Sequence, residues 1–126
     1  MPAIDVVDET FVAVPPEVVA AAFASPGTWQ AYWPDLELEV YADRGAEGLR
    51  WTVTGALVGT MEVWLEPMLD GTQLHYFLRA DPPHELRPGK LLAERTRRQL
   101  AAKAVALDLK VILEDGRAPG VPPKRH

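Results

Sequence analysis

KLLAERTRRQLAAKAVALDLKVILED, residues 90–115, runs for 26 residues without Pro or Gly. At 1.5 Å per residue this predicts a helix of roughly 38 Å starting near Gly89, longer than a domain of this size is wide. On a helical wheel Ala93, Thr96, Leu100, Ala104, Leu107 and Val111 form one stripe, the spacing of a core-facing helix. That reading expects Leu100, Leu107 and Val111 to be buried against a sheet. A second apolar set, Ala101, Val105, Leu109 and Ile112, appears on the other side. The first half carries Glu94, Arg95, Arg97 and Arg98 and reads as half in water; the second half reads as gripped by the rest of the chain. Gly116 and Pro119 supply the stop signals.

The remainder of the chain must supply what this helix packs on. With 126 residues it forms one domain, expected over 1–116, with 117–126 as a flexible tail. No apolar run reaches the length of a membrane span. The opening MPAIDVVDET is acidic and has no signal-peptide core, and there are no cysteines, so a cytoplasmic location is expected. Residues 1–86 hold 3 Lys/Arg against 14 Asp/Glu (−11), and residues 87–126 hold 10 against 4 (+6). An acidic body with a basic final helix excludes the broad cationic face of a nucleic-acid binder.

Taken in order, IDVVDETFVAV (4–14) is a strand with Asp8, Thr10, Val12 and Val14 on one face. Pro15-Pro16 ends it and opens a short helix over 17–24. A second short helix, 28–33, places Trp29 and Trp33 four residues apart. Four strands follow, at about 36–43, 48–55, 58–68 and 72–80, with apolar and polar residues alternating and Asp70-Gly71 as a hairpin signal. Segregated strands and helices give an α+β domain: an antiparallel sheet whose apolar face only the long helix is large enough to cover.

That order, with FVAVPPEVV, SPGTWQAYWPDL, VWLEPMLDGTQLHYF and the long closing helix, resembles the START-like helix-grip superfamily (SRPBCC), within it the polyketide cyclase/dehydrase branch. The resemblance covers the chain to about Asp115 and implies a curved antiparallel sheet wrapped around the C-terminal helix. It also implies a cavity between them for a hydrophobic molecule, planar or polycyclic. Such domains usually have six strands after the helix pair; here there are four, which implies a reduced cavity or a gap closed by a second subunit. Three functions fit: a cyclase/dehydrase-like enzyme, a non-catalytic carrier or sensor of a lipid-like ligand, or a protein–protein module whose cavity its own side chains fill.

Aromatic cyclisation requires a buried donor or cation and a base within hydrogen-bond reach. Candidates are Tyr76, Arg97 and Tyr32; the alternative is that Arg97 reaches solvent and Tyr76 is a core aromatic. Trp29, Trp33, Trp51, Met61, Tyr76, Leu92 and Thr96 are the expected ligand wall, with the mouth beneath the first half of the long helix. His75, His84 and His126 lack metal-ligand spacing, so no metal is expected; no phosphate loop or dinucleotide motif calls for a cofactor. By strand parity Trp64, His75 and Phe77 lie on the outer sheet face, an aromatic set that points to a homodimer. Arg95, Arg97 and Arg98 either solubilise the helix or dock an acyl carrier protein, a partner of the branch this chain resembles.

Overall fold

The computed structural model describes residues 2–115; the expected tail lies outside them. The chain folds as β1 (Ile4–Val12), α1 (Pro16–Ala22), α2 (Pro26–Tyr32), β2 (Leu36–Asp43), β3 (Gly48–Gly55), β4 (Val58–Met68), β5 (Gly71–Asp81) and α3 (Pro88–Glu114). One curved antiparallel sheet has the order β1-β5-β4-β3-β2, so both neighbours in sequence and the first and last strands pair. Alternation decides its two faces. Ile4, Val6, Asp8, Thr10 and Val12 of β1 point inward, as do Trp51 and Val53 of β3, Met61, Val63 and Leu65 of β4, and Leu74, Tyr76 and Leu78 of β5.

Two glycines hold positions that no side chain could take. At Gly48 (φ +120°) a Cβ would lie 1.9 Å from the Val63 carbonyl oxygen, and at Gly71 2.3 Å from that of Val12. The β4–β5 turn therefore differs from the expected Asp70-Gly71 signal. Gly71 pairs with Met68 and serves the close approach of β1, while Leu69 takes the left-handed conformation at the tip (φ 51°).

Both sheet edges are covered or roughened. On β1, the carbonyls of Val7, Glu9 and Phe11 accept hydrogen bonds from Gln99 Nε2 (2.9 Å), Lys103 Nζ (3.1 Å) and Lys110 Nζ (2.7 Å) of α3. On β2, a bulge between Val40 and Ala42 and the outward Glu37, Glu39 and Asp43 disfavour addition of a further strand.

These edge bonds fix the rotation of α3, and that rotation corrects the stripe expected from the wheel. Leu100, Leu107 and Val111 are exposed (67%, 47% and 66%), whereas Arg98, Ala102, Ala106 and Leu109 are buried, flanked by Val105 and Leu113. The cause lies across the interface. Trp33, Tyr76 and Phe23 fill the concave face, so the helix side facing them has to be small; Ala102 and Ala106 let α3 come close. Glu114, also buried, accepts hydrogen bonds from the Ala13 amide and Lys110 Nζ (both 2.7 Å) and pins the C-terminal end of α3 to the end of β1. Among the described residues no helix is long and apolar enough to cross a membrane.

Candidate functional site

Five of the residues expected to line a ligand do converge. Trp51, fully buried at the centre, meets Trp29 edge-on (centroids 5.5 Å apart, 78°), Trp33 (6.2 Å) and Phe23 (6.4 Å), and Trp33 stacks on Tyr76 (5.9 Å, 8°). The spacing in the short helices explains the convergence: α1 delivers Phe23 at its C-terminal end, α2 delivers Trp29, and Trp33 ends α2. Trp29 Nε1 donates to the Phe23 carbonyl (2.7 Å), locking α2 to α1. Met61 completes the group by accepting from the Tyr76 hydroxyl through its sulfur (3.2 Å).

Two donors in this apolar cluster are poorly matched. A thioether is a weak acceptor for Tyr76, and the buried Trp51 Nε1 has no hydrogen-bond partner. Burial raises the Tyr76 phenol well above its ordinary value, against the opposing effects of the Arg98 charge and a hydrogen bond from Trp33. At neutral pH Tyr76 is therefore a donor and not a base.

The other expected site residues lie elsewhere. Leu92 and Thr96 are exposed on the outside of α3 and do not join the cluster. The Tyr32 hydroxyl donates to Asp108 (3.0 Å) on the exposed side of α3; burial, then that bond and charge, push its pKa up to about 12. Arg97 lies at the rim with Glu94 and Asp35, and it is Arg98, one residue on, that is buried (4% exposed).

Arg98 closes a latch the sequence reading did not contain. Its two terminal nitrogens donate to the two oxygens of Asp35 (3.0 and 2.6 Å), and Nε donates to Glu94 (2.8 Å). Asp35 follows Trp33-Pro34, so the latch ties the α2–β2 link, and with it the Trp33 ring, to α3. Burial by itself raises the Asp35 and Glu94 carboxyls, but the hydrogen bonds and charges of Arg97 and Arg98 outweigh it and hold both below the usual range. A carboxyl depressed in the folded chain adds stability above its unfolded value, near pH 4, and loses it as pH falls through the folded value. Urea midpoints should accordingly drop more steeply below about pH 4 for the natural chain than for Asp35→Asn. Parallel acid limbs would show that the latch contributes nothing.

The space around this cluster is unevenly distributed. Between sheet and helix, bounded by Phe23, Trp33, Val63, Leu74, Tyr76 and Ala102, only about 10 Å³ is open, the room of a single water. A larger groove of about 270 Å³ lies on the other side of Phe23, between α1 and the β3–β4 pair, lined by Ala20, Ala21, Ala24, Gly48, Leu49 and Leu65 among others. Phe23 and Val63 line both spaces and stand between them, Phe23 being the larger of the two. The first half of α3, where the mouth was expected, has a hollow of about 190 Å³ beside Leu57, Pro82, Pro83 and Leu86, but no aromatic of the cluster lines it. The run AAAFA (20–24) carried the signal for the observed groove: small residues bracketing one large ring.

The outer aromatic set is covered by its own chain. His75 stacks between Trp64 (4.3 Å, 19°) and Phe77 (6.4 Å, 3°), and its ring nitrogens face Glu9 (3.3 Å) and Glu66 (3.2 Å). His75 is buried and both flanking rings are half-buried, so the large exposed apolar surface is on α3 and not here. The basic docking patch also shrinks: Arg98 is buried and Arg97, though exposed, is paired with Glu94 and Asp35, which leaves exposed Arg95 as the member outside these ion pairs.

No protein-family model matches the sequence, and no curated protein matches it. Solved structures do match in three dimensions. Protein Ms6760 from Mycobacterium smegmatis superposes with a TM-score of 0.66 at 11% identity, over 91% of this chain and 94% of that one. The Aha1 dimer from Colwellia psychrerythraea gives 0.62 at 15% identity, over 91% and 99%. CalU16 from Micromonospora echinospora gives 0.58 at 11% identity, over 88% and 82%. At these identities the likeness is one of architecture: the chain has the helix-grip α+β fold, with a single curved sheet closed by its C-terminal helix.

Proposed function

We propose that the protein binds a small hydrophobic molecule in the groove between α1 and the β3–β4 pair, as a carrier or sensor and not as a catalyst. The observation that carries this reading is the shared wall. Movement of the Phe23 ring would join the 270 Å³ groove to the void beneath α3 and bring the ligand against Trp33 and Tyr76. Small-molecule sites typically occupy about 300–1,000 Å³, mostly apolar with a few polar groups; the two spaces, about 270 and about 10 Å³, together fall just short of that range, which suits a small ligand. A planar molecule suits the flat faces of Trp33 and Tyr76. Two observations favour binding over the cyclase/dehydrase chemistry of the branch the sequence resembles. Tyr76 keeps its proton and so supplies no base, and the latch carboxylates Asp35 and Glu94 are held by Arg97 and Arg98; of the two carboxylates that line the groove, Glu17 and Asp43, the second already accepts from the Gly45 amide (2.9 Å).

The second reading, a protein–protein module with a filled interior, is favoured by the 10 Å³ void itself. One titration separates the two. With naphthalene, anthracene and pyrene as probes, intrinsic tryptophan fluorescence should change saturably. Phe23→Ala should bind the larger probes more tightly, and Ala21→Trp, which fills the groove, should abolish the response with the fold intact. No saturable change in either the natural chain or Phe23→Ala would leave the filled-interior reading standing.

A further inference from the structure

We infer that the outer face of the sheet carries a binding site for a small aromatic acid, in a hollow over β4 between Arg50 and Arg79. The inference does not depend on the groove binding a ligand, because the two spaces lie on opposite faces of the sheet. Leu49, Val63 and Leu65 face the groove, and Arg50, Glu62 and Arg79 face the hollow. The hollow has a volume of about 310 Å³ and is lined by Tyr41, Arg50, Thr60, Glu62, Phe77 and Arg79 among others. Strand register builds it. Thr60 pairs with Arg79, and Glu62 pairs with Arg50 on one side and Phe77 on the other. The two arginines therefore stand on β3 and β5, two strand spacings or about 10 Å apart, with β4 between them. The irregular pairing between Val40 and Ala42 leaves Tyr41 outside the ladder, exposed on the same wall as Arg50.

The distribution of charge selects an anion. Residues 1–86 hold 14 acidic side chains and only three basic ones, Arg44, Arg50 and Arg79. All three gather here. Arg50 Nε donates to Glu62 Oε2 (2.9 Å), Arg44 Nη2 reaches the same oxygen (3.3 Å), and Arg79 lines the opposite wall. One carboxylate shared by two guanidinium groups cannot neutralise both. The terminal nitrogens of Arg50 make no hydrogen bond among the described residues. Arg79 has only Asp5 nearby, at 3.8 Å, beyond hydrogen-bond reach and with both side chains exposed, a pairing that contributes little and yields to a ligand. Within the lining, Arg50 and Arg79 against Glu62 leave a surplus of one positive charge, which suits a monoanion. A carboxylate matches the planar fork of a guanidinium group. The rings of Tyr41 and Phe77 give an otherwise polar hollow its apolar wall, which favours an aromatic body, and the Thr60 hydroxyl adds a donor. The volume, at the lower end of the usual range of about 300–1,000 Å³, admits one or two fused rings.

Calorimetric titration of the full chain with 2-naphthoate at low ionic strength should show saturable binding that weakens as salt is added. The uncharged analogue 2-naphthylmethanol should bind at least about tenfold more weakly, and Arg50→Gln and Arg79→Gln should each lower the 2-naphthoate affinity by about tenfold or more, the usual effect of losing one charge-assisted hydrogen bond. Arg95→Gln, at an exposed arginine on α3, should leave it unchanged. Thr60→Trp, which fills the hollow from an exposed strand position, should abolish binding with an unchanged circular dichroism spectrum. Ala21→Trp, which closes the groove on the other face, should still bind 2-naphthoate as the natural chain does. Loss of binding in Ala21→Trp with retention in Thr60→Trp would place the acid in the groove, overturning this inference while sustaining the groove reading. Absence of saturable binding to the natural chain, or an affinity that both arginine variants leave unchanged, would overturn it as well.

Discussion

Trp51→Ala is expected to be the most damaging single substitution at the aromatic cluster, lowering stability by about 3–5 kcal/mol. The ring is wholly buried and contacts three other aromatic rings, one from each short helix and one at the end of α2. Edge-to-face pairs of this kind add about 0.5–1.5 kcal/mol beyond burial, and the hole left behind cannot collapse while α1 and α2 are tied by the Trp29–Phe23 hydrogen bond. For a chain of this length the loss corresponds to a fall in Tm of roughly 10–20 °C. Trp51→Phe should cost far less than its lost volume suggests, because it also removes the Trp51 N–H that has no partner, a defect of about 1–3 kcal/mol. Chemical denaturation of the two variants measures both terms. A loss below about 1.5 kcal/mol for Trp51→Ala would mean that the cluster does not hold the short helices to the sheet.

The strands and their faces were legible from sequence because period-two alternation survives any tertiary context. Asp8 and Thr10 point inward as the alternation requires, and β2, β3 and β4 begin and end where the pattern does. The aromatic cluster was legible for the same reason, since parity put Trp51 and Tyr76 on the inner face and helical spacing brought Trp29 and Trp33 to it. The rotation of α3 was not. Residues 100–113 are apolar on two sides, so the wheel offers two stripes and no local rule for choosing between them. The choice is made by bulk on the opposing sheet, which admits Ala102 and Ala106 but not Leu100 or Leu107, and by β1, whose edge carbonyls draw Gln99, Lys103 and Lys110 to one side. The buried Arg98 was hidden in the same way: among Arg95, Arg97 and Arg98, only the position of Asp35 in three dimensions tells which arginine goes inside.

The rotation of α3 yields a paired prediction. Leu109→Ala should cost about 2–5 kcal/mol, because Leu109 is 3% exposed and its truncation leaves a cavity against the sheet. Leu107→Ala, two residues earlier, should cost less than about 1 kcal/mol, because a side chain 47% exposed leaves no closed hole when removed. Helix propensity does not confound the comparison, since alanine is at least as favourable as leucine in a helix and the term is common to both variants. If the two costs were reversed, α3 would sit with its leucine stripe on the sheet, and the Arg98 latch would be lost with it.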